Sequence, residues 1–442
     1  MKLYNSLTGK IDDLKTKKDN EVDIYTCGPT VYNYIHLGNA RPSITMDFVV
    51  RFLEHKNFKV NYLQNITDVD DKIINKAISE NKKELELSSF YTDAYIKDLE
   101  DLNVQLPTKI IKVSDVIPEM IQFIQKMIDN GSAYVVDGDV FFSVDKFPKE
   151  YGQLSGRTQD EITVGRIEEN SKKKNPNDFV LWKKTDVGIK WDAPFGAGRP
   201  GWHTECAVLN DMYFDHNTIS LHGGGIDLKF PHHENERIQF IATNDKELAD
   251  IWMHNGHLTF NSEKMSKSLG NTILVRDFLK HHSPDLLRWL FMTTSYTQPI
   301  DINDDVLNQG GKFFERLDNI QKKAKQLWAM DDLEDLTSEE SVHHYVDRFD
   351  DWMRDNLNTP MVLTEIEQAI KEINKDLTNK QITPTFMELK EILRILGFKY
   401  ELDYTVSEAD KQELKEWKQL IKNKEYDKAD KLRESLSKKG LV

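Results

Sequence analysis

Asp23-Ile24-Tyr25-Thr26-Cys27-Gly28-Pro29, then Ile35-His36-Leu37-Gly38-Asn39, then the run from Lys59 to Ile66, is the stretch that decides the fold. Asp23 to Cys27 reads as a short strand ending in a Gly-Pro turn. A second turn at Ile35 to Asn39 precedes a helix: Pro42 suits its first turn, and Ile44, Phe48, Val49, Phe52 and Leu53 recur at helical spacing. Lys59 to Ile66 alternates like a strand. Strand, helix and strand in this order form the β-α-β unit that builds a parallel sheet, so the chain opens with an α/β domain of the nucleotide-binding kind.

Outward from this unit, the pattern loses its regularity over Ser114 to Val187, and Gly165 to Asn177 is polar and charged. This predicts an inserted subdomain with a flexible excursion. The α/β pattern resumes with a strand at Thr218 to Leu221, a turn at Gly223-Gly224-Gly225 and a helix opening at Pro231 that carries Ile238, Phe240 and Ile241. Beyond about Ile302 no strand is expected. Val306 to Met330, Glu340 to Asn356, Met361 to Leu377 and Phe386 to Leu396 show helical periodicity, and Glu408 to Lys439 is helical and Lys-rich. Asp331 to Glu340 reads as a solvated acidic linker. The expected domains are 1–302 with its insertion at about 114–187, a helical bundle over 303–400, and a short helical segment over 401–442.

A chain of 442 residues exceeds what one hydrophobic core supports, in keeping with two or three domains. No run of eighteen apolar residues predicts a membrane span, and the first residues, Met1 to Asp13, lack an apolar targeting segment; a cytoplasmic protein is expected. A formal charge of −15 excludes indiscriminate binding to nucleic acid, so any RNA contact must be local. Two cysteines, Cys27 and Cys206, are too few for a disulfide framework; a metal site or two buried thiols remain.

Two motifs carry chemistry. His36-Leu37-Gly38-Asn39 lies between a strand and a helix, where backbone N–H groups and the helix dipole favour the phosphates of a nucleotide and Gly38 lets a ligand approach the backbone. Lys264-Met265-Ser266-Lys267-Ser268 follows the resumed sheet; two lysines three residues apart on a loop can clamp a triphosphate and stabilise charge on departing pyrophosphate. There is no G-x-x-x-x-G-K-[ST] motif and no G-x-G-x-x-G after a strand, which argues against P-loop and dinucleotide enzymes. His232 and Glu236 stand four apart on the expected helix and can point at one centre; two thiolates, an imidazole and a carboxylate suit Zn²⁺.

His36 to Asn39 and Lys264 to Ser268 resemble the two signatures of class I aminoacyl-tRNA synthetases. Cys27-Gly28-Pro29-Thr30-Val31-Tyr32, Asn65 to Lys72, Gly198-Arg199-Pro200-Gly201-Trp202-His203 and Pro231-His232-His233-Glu234-Asn235-Glu236 resemble the cysteine-specific family, and the similarity runs from about Leu3 to Val442. The resemblance implies a Rossmann-like parallel-sheet catalytic domain with an inserted subdomain and an all-α C-terminal region. It implies an enzyme that activates L-cysteine with ATP and Mg²⁺ and transfers it to tRNA(Cys), a monomer holding one Zn²⁺ per chain through Cys27, Cys206, His232 and Glu236, with His233 competing with His232. The metal is implied to take the substrate thiolate, which serine cannot imitate, so the small insertion need not be an editing module. Gly28, Thr67, Trp202 and Asp227 are implied to bind the amino acid, with Asp227 facing its ammonium group. His36, Gly38 and Asn39 are implied to hold ATP phosphates, Lys264 and Lys267 to stabilise the transition state, and His222 to stand near the reacting carboxylate; His254 and His257 read as structural.

Asn358-Thr359-Pro360 matches a turn in the family's anticodon-side region. Lysines from Lys411 onward interleave with Trp417 and Tyr426, a basic face on which unpaired bases can stack. The chain stops at Gly440-Leu441-Val442, where relatives are expected to continue for a short further segment. A cysteine ligase that uses the same catalytic fold to join cysteine to an aminosugar, as in mycothiol synthesis, is the alternative the ATP and zinc signatures do not separate; the long helical C-terminal region favours tRNA. A non-catalytic zinc- or RNA-binding paralogue is opposed by the intact His36, Lys264 and Lys267.

Overall fold

The computed structural model describes residues 1–158, 161, 172–261, 272–442 and the backbone of 263–264. The first of two compact units takes in 1–281 and 296–300. In chain order it runs β1 (Lys2–Asn5), β2 (Lys10–Asp13), β3 (Glu21–Thr26), α1 (Leu37–His55), β4 (Lys59–Ile66), α2 (Asp71–Glu80), α3 (Glu84–Asp101), β5 (Lys109–Lys112) and α4 (Ile117–Asp129). It continues through β6 (Ala133–Val136), β7 (Asp139–Phe142), β8 (Phe179–Lys184), β9 (Gly198–Pro200), α5 (Trp202–Tyr213), β10 (Ile219–Gly225), α6 (Glu234–Asn244), β11 (Ala249–Asn255), β12 (Leu258–Phe260), β13 (Glu263–Lys264) and α7 (Val275–Phe278).

Five strands form one parallel sheet in the order β11-β10-β3-β4-β5. Val22, Ile24 and Tyr25 of β3 are buried, as a central strand covered on both faces requires. The five apolar positions of α1 read from the sequence are all buried, and this stripe sets the helix on the sheet. From β3 the chain steps outward to β4 and β5, then returns to the other side of β3 as β10 and β11. The strand order therefore reverses between β3 and β10, and the crevice at their C-terminal ends is where an open α/β sheet binds its ligand.

Several boundaries differ from expectation for physical reasons. The turn Leu37-Gly38-Asn39 is already helical, so Pro42 lies inside α1 and leaves the Gly38 carbonyl without its intrahelical N–H. The three glycines expected to turn are the end of β10, paired with Met253, His254 and Asn255 of β11. They serve close approach: a Cβ at Gly223 would lie 2.5 Å from Met46 Cε, and one at Gly224 would lie 2.7 Å from the His233 ring. The helix foreseen from Pro231 begins at Glu234, after an irregular turn over Lys229–His233. Within the expected insertion, β6, β7 and β8 join β9 in an antiparallel sheet; of the polar excursion at Gly165 to Asn177, residues 165–171 lie outside the described residues.

The second unit takes in 282–295 and 301–442. It is helical, with Pro284–Met292, Asp304–Ala329, Tyr345–Arg354, Thr359–Thr378, Pro384–Ile395, Glu408–Lys422 and Tyr426–Lys438. The C-terminal Lys-rich run is two helices, broken at Asn423 to Glu425. The acidic linker contains a short strand, Glu334–Asp335, that pairs with Gln381–Ile382, correcting the expectation that no strand follows Ile302. No described helix is long and apolar enough to cross a membrane.

Candidate active site

A cavity of about 470 Å³ opens at the sheet's switch point. Cys27 and Gly28, just beyond β3, form one side; Gly224, Gly225 and Asp227, at the end of β10, form another; Asn255 to Leu258 leave β11 along a third. His36, Gly38 and Asn39 at the start of α1 also line it, with Trp202 opposite. A Cβ at Gly28 would lie 1.7 Å from the Asn65 carbonyl oxygen, so only glycine lets the chain after β3 lie so close to β4; its N–H donates to Asn65 Oδ1 at 2.7 Å. Asn39 Oδ1 accepts from the His36 backbone N–H at 3.3 Å and fixes the helix start.

Beside this cavity, residues 179 positions apart in sequence meet. Cys27 Sγ and Cys206 Sγ are 3.6 Å apart and both are free thiols. Cys206 Sγ lies 3.5 Å from His232 Nε2, Cys27 Sγ lies 3.2 Å from Glu236 Oε1, and His232 Nε2 and Glu236 Oε1 are 2.7 Å apart. One donor atom from each of these four lies within 4.8 Å of all the others. A second set meets the same criterion by keeping Cys27 and Glu236 and taking His222 and His233 instead. His232, His233, Cys206 and Glu236 are buried, and Cys27 is partly so.

Further histidines hold these side chains from behind. His222 Nε2 lies 2.8 Å from Glu236 Oε2, and its ring stacks on Trp252 with centroids 4.3 Å apart. His222, which the resemblance implies stands near the reacting carboxylate, is fully buried and is not among the residues that line the cavity. His203 Nδ1 meets His232 Nδ1 at 3.0 Å; His233 Nδ1 meets His254 Nε2 at 2.8 Å; His254 Nδ1 meets Ser6 Oγ at 2.8 Å. Burial disfavours a charged His232, but the Glu236 carboxylate and the Cys206 sulfur outweigh it and push the imidazole up to about 10. Burial, together with Lys229 and His222, pushes His254 down to about 3, so it is neutral.

The remaining expected residues divide. Trp202 is in the cavity wall, stacked on His232 with centroids 4.1 Å apart. Asp227 is in the wall too, its carboxylate folded against Gly225. Thr67 is buried behind the wall and donates to Glu205 Oε2 at 2.6 Å. Lys264, the first residue of the second motif, is described by its backbone only, in β13 paired with β12; Met265 to Ser268, including Lys267, lie outside the described residues. The described residues resume at Thr272; Leu274 pairs with His36, and Leu37 N–H donates to the Ile273 carbonyl at 3.0 Å. His257, read as structural, is in the cavity wall.

Arg41 escaped the sequence reading. Its buried guanidinium donates to the carbonyls of Gly256 at 2.7 Å, His257 at 3.0 Å, Tyr296 at 3.2 Å and Gln298 at 2.7 Å, tying α1 to the cavity wall beyond β11. An arginine on a helix's apolar face was the available signal. Burial brings it down to about 10, still charged at neutral pH.

The parallel sheet, the switch-point cavity and the His-x-Gly helix start define a class I aminoacyl-tRNA synthetase catalytic fold. Solved structures share it: methionyl-tRNA synthetase of Mycobacterium tuberculosis in complex with methionyl-adenylate superposes with a TM-score of 0.65 over 85% of this chain and 90% of that one, at 15% identity, a likeness of fold alone. The family model for the class I (C) catalytic domain of tRNA synthetases matches residues 13–312. Cysteine–tRNA ligases of Mycoplasma mycoides subsp. mycoides and Mycoplasma capricolum subsp. capricolum are 52% and 53% identical, covering 100% of both chains. That of Carboxydothermus hydrogenoformans is 39% identical over 100% of this chain and 97% of its own. The chain belongs to the cysteine–tRNA ligase family. The chain spans 97–100% of these relatives' own length.

Proposed function

We propose that the chain selects L-cysteine through a zinc ion held by Cys27, Cys206, His232 and Glu236, activates it with Mg²⁺-ATP and transfers it to tRNA(Cys), as a cytoplasmic monomer. The observation that carries this reading is the convergence of those four donors beside the cavity. Two thiolates on a tetrahedral zinc with Zn–S near 2.3 Å sit about 3.8 Å apart, and a thiolate and an imidazole about 3.6 Å apart. The separations of 3.6 Å between the two sulfurs and 3.5 Å from Cys206 Sγ to His232 Nε2 agree, whereas Glu236 Oε1, 2.7 Å from His232 Nε2 and 3.2 Å from Cys27 Sγ, would move outward to share the ion. Two sulfurs, an imidazole and a carboxylate gathered in one site are also a donor set that suits zinc. His233 belongs to the other donor set, and its Nδ1 is turned to His254.

When bound, the ion would take the substrate thiolate as an additional ligand beyond these four, a bond serine's harder, more basic hydroxyl does not make. Trp202 walls the thiolate's position and Asp227 faces the ammonium group. The cysteine carboxylate attacks the α-phosphate of ATP in line and pyrophosphate leaves; a terminal ribose hydroxyl of tRNA then attacks the acyl carbon and AMP leaves. His36, Gly38 and Asn39 hold phosphates in the first step, and Lys264 and Lys267 stabilise the charge developing on pyrophosphate. Residues 303–400 and 401–442 then face the tRNA body, with Trp417 and Tyr426 near the anticodon.

Metal analysis of the purified chain tests the centre. About one zinc per chain is expected, lost together with cysteine-dependent pyrophosphate exchange in Cys206→Ala. Full exchange by a zinc-free chain would contradict the reading.

A further inference from the structure

Helix α3 passes the mouth of the main cavity with Tyr95 in the cavity wall and Phe90 outside it, 56% exposed. Tyr34, also in the wall, meets the Phe90 ring edge-on with centroids 6.2 Å apart and Tyr91 at 5.3 Å. The Arg276 guanidinium lies 3.5 Å from the Tyr34 ring centre and is held there by Asp98 at 2.9 Å. Lys76 Nζ lies 4.5 Å from the Tyr91 ring centre and donates to its hydroxyl at 2.8 Å. One lip of the cavity is thus a continuous run of aromatic rings with cations set over them.

Past Trp202, a second cavity has a wall of mixed charge, with Asp70, Asp71 and Glu205 beside Lys173, Lys183 and Arg199, and both Lys183 and Arg199 pair with Asp71. Two of its three cations are thus engaged by its own carboxylate, whereas the aromatic lip suits a phosphodiester chain: unpaired nucleotides bind by stacking on rings, with cations beside their phosphates. Transfer to tRNA, the acceptor proposed above, requires an unpaired 3′ strand to thread into the main cavity, and a strand entering there must cross a lip.

We infer that the Tyr34–Phe90 lip receives the unpaired 3′ end of the tRNA acceptor strand, a base stacking on the exposed face of Phe90 while Lys76 lies beside the backbone. This rests on tRNA being the acceptor. Phe90 is then a positioning residue for the transfer step and takes no part in adenylate formation.

The test compares Phe90→Ala and Phe90→Trp with the unaltered chain in two assays. Phe90→Ala is expected to raise KM for tRNA in aminoacylation about tenfold, the size of one lost stacking contact. Cysteine-dependent pyrophosphate exchange and its KM for ATP stay unchanged, and Phe90→Trp restores charging. A tRNA carrying 2-aminopurine in its unpaired 3′ strand just before the terminal nucleotide is quenched by the unaltered chain and less by Phe90→Ala. An unchanged KM for tRNA overturns the inference. So does a parallel loss of exchange, which would place Phe90 on the ATP side or in the core. If the unaltered chain exchanges but charges no tRNA, the choice of acceptor has failed, and the lip's assignment to tRNA falls with it.

Discussion

At His222 a fully buried imidazole presents Nε2 to Glu236 Oε2 while the other carboxylate oxygen faces His232 and Cys27. Such an outer partner fixes a ligand's orientation and commonly governs metal affinity by a factor of about 10 to 100. The chain with His222→Ala is therefore expected to yield its zinc to a chelator at that much lower concentration, with exchange restored by added zinc. Retention equal to that of the unaltered chain would show that Glu236 needs no such support. The sequence set a strand at Thr218 to Leu221, ending just before His222, and strand alternation does not say what lies behind it. The same limit left the contacts of His203 and His254 unread. Cys27, Cys206, His232 and Glu236 were named through resemblance; spacing offered only the pair four apart, because the cysteines meet through the strand-order reversal and not through local sequence.

Among the elements, the helix Asp304–Ala329 carries two adjacent glycines whose substitution has opposite consequences. A Cβ at Gly310 would lie 2.3 Å from Leu286 Cδ1 and 2.8 Å from the Trp289 ring, in a packed core; at Gly311 it would meet nothing within 4 Å. Gly310→Ala is expected to cost about 1–3 kcal/mol by overpacking. Gly311→Ala is expected to gain about 0.5–1 kcal/mol by removing glycine's backbone entropy from a helix interior. Denaturant melts of both variants check the signs; equal shifts would mean that the packing on Gly310 is wrong. Helical periodicity foresaw this helix within two residues at either end, because its apolar face repeats strongly. It could not tell the two glycines apart, since which one meets a neighbour is a tertiary fact. The glycines of β10 failed in the other direction: a Gly-Gly-Gly string reads as a turn, and here it is a strand whose missing side chains admit Met46 and His233.

For the molecule as a whole, the parallel-sheet domain with its insertion and the helical region were legible because β-α-β order and helical period are properties of long segments. The route of the chain through the sheet, out to β5 and back to β10, is what makes one cavity from segments near residues 27, 36, 202, 225 and 256, and no local pattern records it. A formal charge of −15 means that tRNA must be held by local features and not by the overall field. The most direct measurement is aminoacylation of unfractionated tRNA with labelled cysteine beside labelled serine, using the zinc-loaded chain. The account predicts charging with cysteine and none detectable with serine; charging with both, or cysteine charging that persists after the metal is stripped, would contradict it.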